Sequence, residues 1–154
     1  MNRAERIILI VVGIGIILKM SELQVGNILM TISFSALAAL YFFRAQTVFE
    51  NAEAPERFFN KLLPFGWSIC VIGIMFLIQG WPGFDPMLVV GAFPQLVIIL
   101  IILFLKKTKG VNYPTLDKAI LIRSFILASI SISLHFCSKE ALLKHHVISE
   151  QHLK

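Results

Sequence analysis

Three stretches of the chain, Ile7–Leu18, Ile69–Ile78 and Leu96–Leu105, carry no charged side chain, and the acids and bases collect between them. A helix of a water-soluble fold alternates polar and apolar faces; these runs do not, so they call for an apolar solvent. In hydrocarbon an unpaired backbone amide costs several kcal/mol, which leaves only helices and closed barrels as spanning structures. Barrel strands read as alternating segments of roughly ten residues, whereas these runs are continuous, and the helical reading follows. Composition agrees. Of 154 residues, 57% are apolar and 15% charged, against about 25% charged in soluble domains, and the mean hydropathy is +0.82.

The expected fold is an all-α polytopic membrane bundle of four or five short helices, arranged as two tandem hairpins plus a C-terminal helix. Residues 1–43 form the first hairpin, with segments near Arg6–Lys19 and Leu23–Phe43. Residues 44–62 are a cytoplasmic or interfacial link, in which Ala54-Pro55-Glu56 marks a helix start, because proline is tolerated in a first turn. Residues 63–105 form the second hairpin, from Leu63 to Gln79 and from Pro86 to Leu105, joined by the turn signal Gly80-Trp81-Pro82-Gly83. Trp67 and Trp81 are read as headgroup-level anchors. Residues 106–118 make a basic cytoplasmic loop, residues 119–138 a fifth helix that either spans or lies at the interface, and residues 139–154 a polar, His-rich tail. The first apolar run follows Arg3 and Arg6 but lacks a small-residue cleavage site, and it is read as a retained helix.

Lysine and arginine distribution sets an orientation. Arg3, Arg6, Arg44, Arg57, Lys61, Lys106, Lys107, Lys109 and Lys118 fall on one side and Lys19 on the other. The positive-inside rule then puts the N-terminus in the cytoplasm, with both hairpin turns outside, as expected in a bacterial inner membrane. The net charge of +5 is accounted for by this topology and by anionic headgroups; no basic patch interleaved with aromatics suggests nucleic acid. The lipid bilayer, copies of the same chain and other membrane subunits are the expected partners.

Chemistry-bearing residues are few. Cys70 and Cys137 lie in apolar stretches outside any metal-ligand spacing and are read as small hydrophobes. Lys19 and Arg123 lie near the ends of apolar runs, where their long side chains can snorkel outward. His145, His146 and His152 with Glu150 place at most two ligands on one helical face, short of a metal site. No hydrolase elbow, phosphate loop or HExxH motif is present, and neither a catalytic residue nor a cofactor is expected. The sharpest intramembrane polar group is Gln95, beside Pro94 and one turn after Gly91. It is expected to bond the carbonyl that Pro94 frees or to reach a serine of the fifth segment, or else to line a polar pocket. On the fifth segment Ser124, Ala128, Ser131, His135 and Ser138 share one face, a small, hydroxylated stripe of the kind that lets membrane helices approach closely. Thr31, Ser35 and Ala38 form a second such stripe. Gly91, Pro94, Gln95, Ser124, Ser131 and His135 are therefore the candidate packing or polar-pocket residues. The function expected is that of a non-catalytic structural or assembly subunit, with a small transporter or channel using the Pro94–Gln95 break as the alternative.

The pattern Gly13, Lys19, Gly26 and Tyr41-Phe42-Phe43 resembles the two-helix membrane portion of the stator subunit of the Bacteroidetes gliding-motility and type IX secretion motor. Gly73, Trp81-Pro82-Gly83 and Gly91 are similar to the turn of related small membrane proteins of that phylum. The resemblance implies a hairpin that works within a larger membrane machine. In that stator a buried glutamate of the second helix takes part in proton-driven rotation; Ala38 holds the matching position here, so proton coupling is not implied.

Overall fold

A computed structural model describes residues 3–21, 24–46, 54–109 and 118–151, the helical path over 139–151 without side-chain detail. These residues form five helices: α1 (Arg3–Met20), α2 (Gln24–Ala45), α3 (Ala54–Gln79), α4 (Phe84–Lys109) and α5 (Lys118–Gln151). The all-α bundle expected from the sequence is what forms. Four stretches, Gln24–Ala45, Ala54–Gln79, Phe84–Thr108 and Lys118–Ser138, are long and apolar enough to cross a membrane. α1 is not among them. It has 18 residues and carries Arg3, Glu5, Arg6 and Lys19.

Consecutive helices run antiparallel, α1 against α2, α2 against α3 and α3 against α4, while α5 lies against α4 and also touches α3. One end of the bundle therefore gathers the two tight turns and the other the basic segments. Pro55 sits in the first turn of α3, where a missing N–H is harmless, and Glu56 adds an acid that the helix N-terminus favours. The segment read as an interfacial link thus runs unbroken from Ala54 into the third apolar stretch. α3 stops on a Schellman motif: Trp81 N–H donates to the Phe76 carbonyl at 2.9 Å and Gly80 N–H to the Leu77 carbonyl at 3.1 Å. Gly80 supplies the required left-handed backbone at φ 70°, and the Trp81 ring meets Phe76 with centroids 5.2 Å apart.

The main core lies between α1, α2 and α3, with Val12, Met30, Phe34, Leu37, Tyr41, Trp67, Val71 and Met75 buried together and Ile120 and Leu127 of α5 packed against it. Glycines set the closest approaches. A Cβ on Gly91 would stand 2.7 Å from Cys70 Sγ and 2.8 Å from its backbone nitrogen, so α3 and α4 touch almost backbone to backbone. Gly15 rests on the Met30 backbone, whereas Gly13 faces open space; of the Gly13-Ile14-Gly15 pair, only the second works as a contact. The outside is apolar, with Leu100 and Phe104 each 65% exposed and Ile10 and Ile17 similarly bare. Such a surface is stable against lipid and not against water.

α5 runs alongside α4 in the opposite direction. Ile120 and Leu121 pack near Ile98 and Ile102, Ala128 meets Cys70 and Ala92, and His135 reaches Asp85. A helix lying across the basic end of the bundle could not make this ordered series of contacts.

Candidate functional site

At the basic end, Glu5 of α1 is 1% exposed, although it stands in a first turn flanked by Arg3 and Arg6. Its Oε1 accepts Arg123 Nη1 of α5 at 2.8 Å and the Tyr41 hydroxyl of α2 at 3.1 Å. A charge-assisted bond and a phenol support this oxygen once water is removed, while Oε2 is buried without a hydrogen-bond partner. Tyr41 stands edge-on to Trp67, with ring centroids 5.3 Å apart. The Trp67 indole N–H donates to Ser124 Oγ at 2.8 Å, and the Arg44 guanidinium lies 5.9 Å from the Trp67 ring centroid, within cation–π range. One layer of polar and aromatic groups thus ties α1, α2, α3 and α5 together. α1 and α5 make no backbone approach, and Glu5–Arg123 is the link between them among the described residues.

Three sequence expectations are corrected here. Arg123 turns inward to Glu5 instead of snorkelling, because a buried carboxylate offers a stronger partner than a headgroup. Trp67 is fully buried and does not anchor at headgroup level; α3 begins so far upstream that residue 67 falls at core depth. At the turn end Lys19 also turns inward. Its ammonium donates to the Ile78 carbonyl, left over at the C-terminus of α3, and to Gln79 Oε1, where a helix end favours positive charge. Gln79 Nε2 in turn donates to Thr31 Oγ1 at 2.6 Å.

A second polar group lies between α3, α4 and α5. Gln95 is fully buried. Its Nε2 donates to the Gly91 carbonyl at 2.8 Å and approaches Cys70 Sγ at 3.3 Å. The carbonyl that Pro94 frees is that of Val90, one residue away, so Gln95 neither repairs the proline break nor bridges to a serine. Its stem packs on Gly66, where a Cβ would meet Gln95 Cγ at 2.9 Å. Ser131 stands at hydrogen-bonding distance from the Cys70 thiol, and Gln95 Oε1 is buried without a hydrogen-bond partner.

Of the six candidate residues, Gly91, Gln95 and Ser131 come together at this inner group, with Pro94 on the same turn of α4. Ser124 belongs to the layer at the basic end. His135 sits at the turn end, with its Nδ1 against Asp85 Oδ1, beside a cavity of about 250 Å³ lined by Leu88, Val89, Ala92, Phe93, Ile132 and Phe136. Ser124, Ala128 and Ser131 are all fully buried, so the fifth-segment stripe packs within the chain, as its spacing suggested. The Thr31/Ser35/Ala38 stripe also faces inward in part: Ala38 is buried, and its carbonyl accepts Ser68 Oγ at 2.9 Å. Cys137, unlike Cys70, is exposed.

The sequence assigned no site role to Glu5, Tyr41 or Arg44, and it marked Trp67 only as an anchor. One signal was available: an acid at the edge of the first apolar run and a base one turn inside the fifth are complementary charges in need of partners. No group of three or more metal-ligating side chains occurs among the described residues, and the His-rich tail lies outside those with side-chain detail. No family model, curated protein or solved structure matches this chain.

Proposed function

We propose that the protein is a non-catalytic subunit of a membrane assembly that acts by packing its outer face against other membrane helices. The observation that carries this reading is the furrow between α2 and α3, on the side that neither α1 nor α5 covers. One cavity of about 390 Å³ is lined by Ser35, Ala38, Ala39, Ser68, Ile72 and Met75 together with Phe42 and Phe43. A second, of about 330 Å³, continues it past Phe42 toward Phe58 and Phe65. A floor of small residues between aromatic walls matches how membrane helices associate, by close packing and not by hydrophobic drive. The inner polar groups favour the same reading, since Glu5, Arg123, Trp67, Lys19 and the Gln95 amide nitrogen each reach a neighbouring helix.

Mass measurement of the detergent-purified chain tests the proposal. An oligomer or a co-purified membrane partner is expected, and Ala39→Leu, which fills the furrow from an exposed position, should release it. A chain that is monomeric alone and in its native membrane extract would defeat the reading.

The transporter reading keeps one supporting observation, the unpartnered Gln95 Oε1 at the centre of the bundle. Its test is flux in liposomes that is lost in Gln95→Leu. The resemblance to a stator hairpin fits a subunit of a larger machine, with Ala38 packed against Ser68 where a proton-carrying glutamate would stand.

A further inference from the structure

We propose that Arg44 and Arg123 form a binding site for one phosphate group, that of an anionic phospholipid drawn toward the α1–α2–α5 corner of the bundle. This inference is independent of the assembly reading and needs only that the bundle sits in a membrane.

Depth supplies the first argument. Lys19 bonds the end of α3 at Gln79, which fixes the level of the turn end. Helical rise then puts Trp67 roughly 18 Å, and Glu5 roughly 21 Å, from that level. A bilayer's hydrocarbon core is about 30 Å thick. The charged layer around Trp67 therefore falls short of the opposite headgroup plane, while α3 and α4 continue past it to Ala54 and Lys109. A short, charged α1 beside longer neighbours is accommodated by local thinning of the bilayer, which brings headgroups down to this corner.

Charge supplies the second. Glu5 is matched by Arg123, but Arg44 has no ion pair among the described residues. It lies against the Trp67 face, only partly exposed, and both guanidinium groups are close enough to act electrostatically on the Tyr41 hydroxyl. The layer thus holds two fixed cations and one anion at a depth where an unmatched charge is costly. Arg123 offers Glu5 a single nitrogen at hydrogen-bond distance, and its side chain is 22% exposed, leaving N–H donors of its planar fork for a second acceptor. Two guanidinium forks, one of them over the Trp67 ring, suit the tetrahedral oxygens of a phosphate.

The test is lipid binding to the purified full chain, read by native mass spectrometry with phosphatidylglycerol and with phosphatidylcholine. One phosphatidylglycerol should be retained with an affinity about ten-fold above that of phosphatidylcholine. Arg44→Gln should weaken it by about ten-fold, as expected for one charge-assisted contact. Lys61→Gln removes the same charge from the α2–α3 furrow and should change it by less than about two-fold. If Arg44→Gln does not fold, Arg44→Lys keeps the charge without the fork and should weaken binding by more than Lys61→Gln does and by less than about ten-fold, with an intact melting transition as the control; a loss no larger than that of Lys61→Gln would overturn the proposal. Inorganic phosphate and glycerol 3-phosphate, added as competitors, identify the source of the group: displacement at similar concentration assigns the site to a soluble phosphate, and failure to displace assigns it to lipid. Equal losses in Arg44→Gln and Lys61→Gln, or no preference for phosphatidylglycerol, would overturn the proposal.

Discussion

Glu5 is the residue on which most of the basic end depends. Replacing Arg123 by Met leaves that carboxylate buried with only the Tyr41 hydroxyl, and removal of one partner of a buried pair costs about 3 kcal/mol or more. The melting temperature of the detergent-solubilised chain should fall clearly in Arg123→Met and recover in large part in Glu5→Gln/Arg123→Met, where no charge is left stranded; a double variant as unstable as the single one would argue against the pair. Glycines make a sharper contrast. Gly91→Ala drives a methyl into Cys70, with nothing but backbone and sulfur to give way, and should destabilise by about 1–3 kcal/mol. Gly13→Ala meets no atom within 4 Å and should be neutral or stabilising by up to about 1 kcal/mol through helix propensity. Thermal melts of the two variants check both. The sequence marked Gly91 as a packing candidate, but the size of this contrast was not legible there. A glycine's worth depends on which neighbour its missing Cβ would strike. Glu5 offered only the hint of an acid in need of a cation, because its partner lies 118 residues away and no local pattern encodes that meeting.

Element positions, by contrast, follow closely from the apolar runs, since lipid forbids any other backbone for them. The turn between α3 and α4 was equally readable, because Gly80-Trp81-Pro82-Gly83 spells out the left-handed residue and the stop. The start of α3 was legible too, since Ala54-Pro55-Glu56 marks it. What the polar first turns concealed is that they belong to the same continuous helix, which sets Trp67 in the core and not at the headgroups. The path of α5 also needed three dimensions, since Arg123 and His135 speak against burial until Glu5 and Asp85 are placed opposite them. That path has a direct test. If α5 crosses the membrane with the N-terminus cytoplasmic, Cys137 emerges near the outer turn, two residues past the His135 that meets Asp85. In a Cys70→Ala background an impermeant maleimide added to intact cells should label Cys137; labelling only from the cytoplasmic side would remove the crossing.

At the level of the whole molecule, the bundle combines two kinds of helix: four that qualify as spans by length and composition, and α1, held by side chains at both of its ends. Its Lys19 grips the end of α3 and its Glu5 grips α5, with Val12 and Gly15 seated between. This division has a consequence for biogenesis. The ribosome makes Glu5 long before Arg123, so through most of translation the acid of α1 lacks the partner that receives it in the folded bundle, and a translocon would release such a segment into lipid only reluctantly. Its final seating is then a late event, completed when the last helix arrives. A nascent chain halted before residue 118 should leave its leading segment open to added protease, whereas the finished chain should protect it.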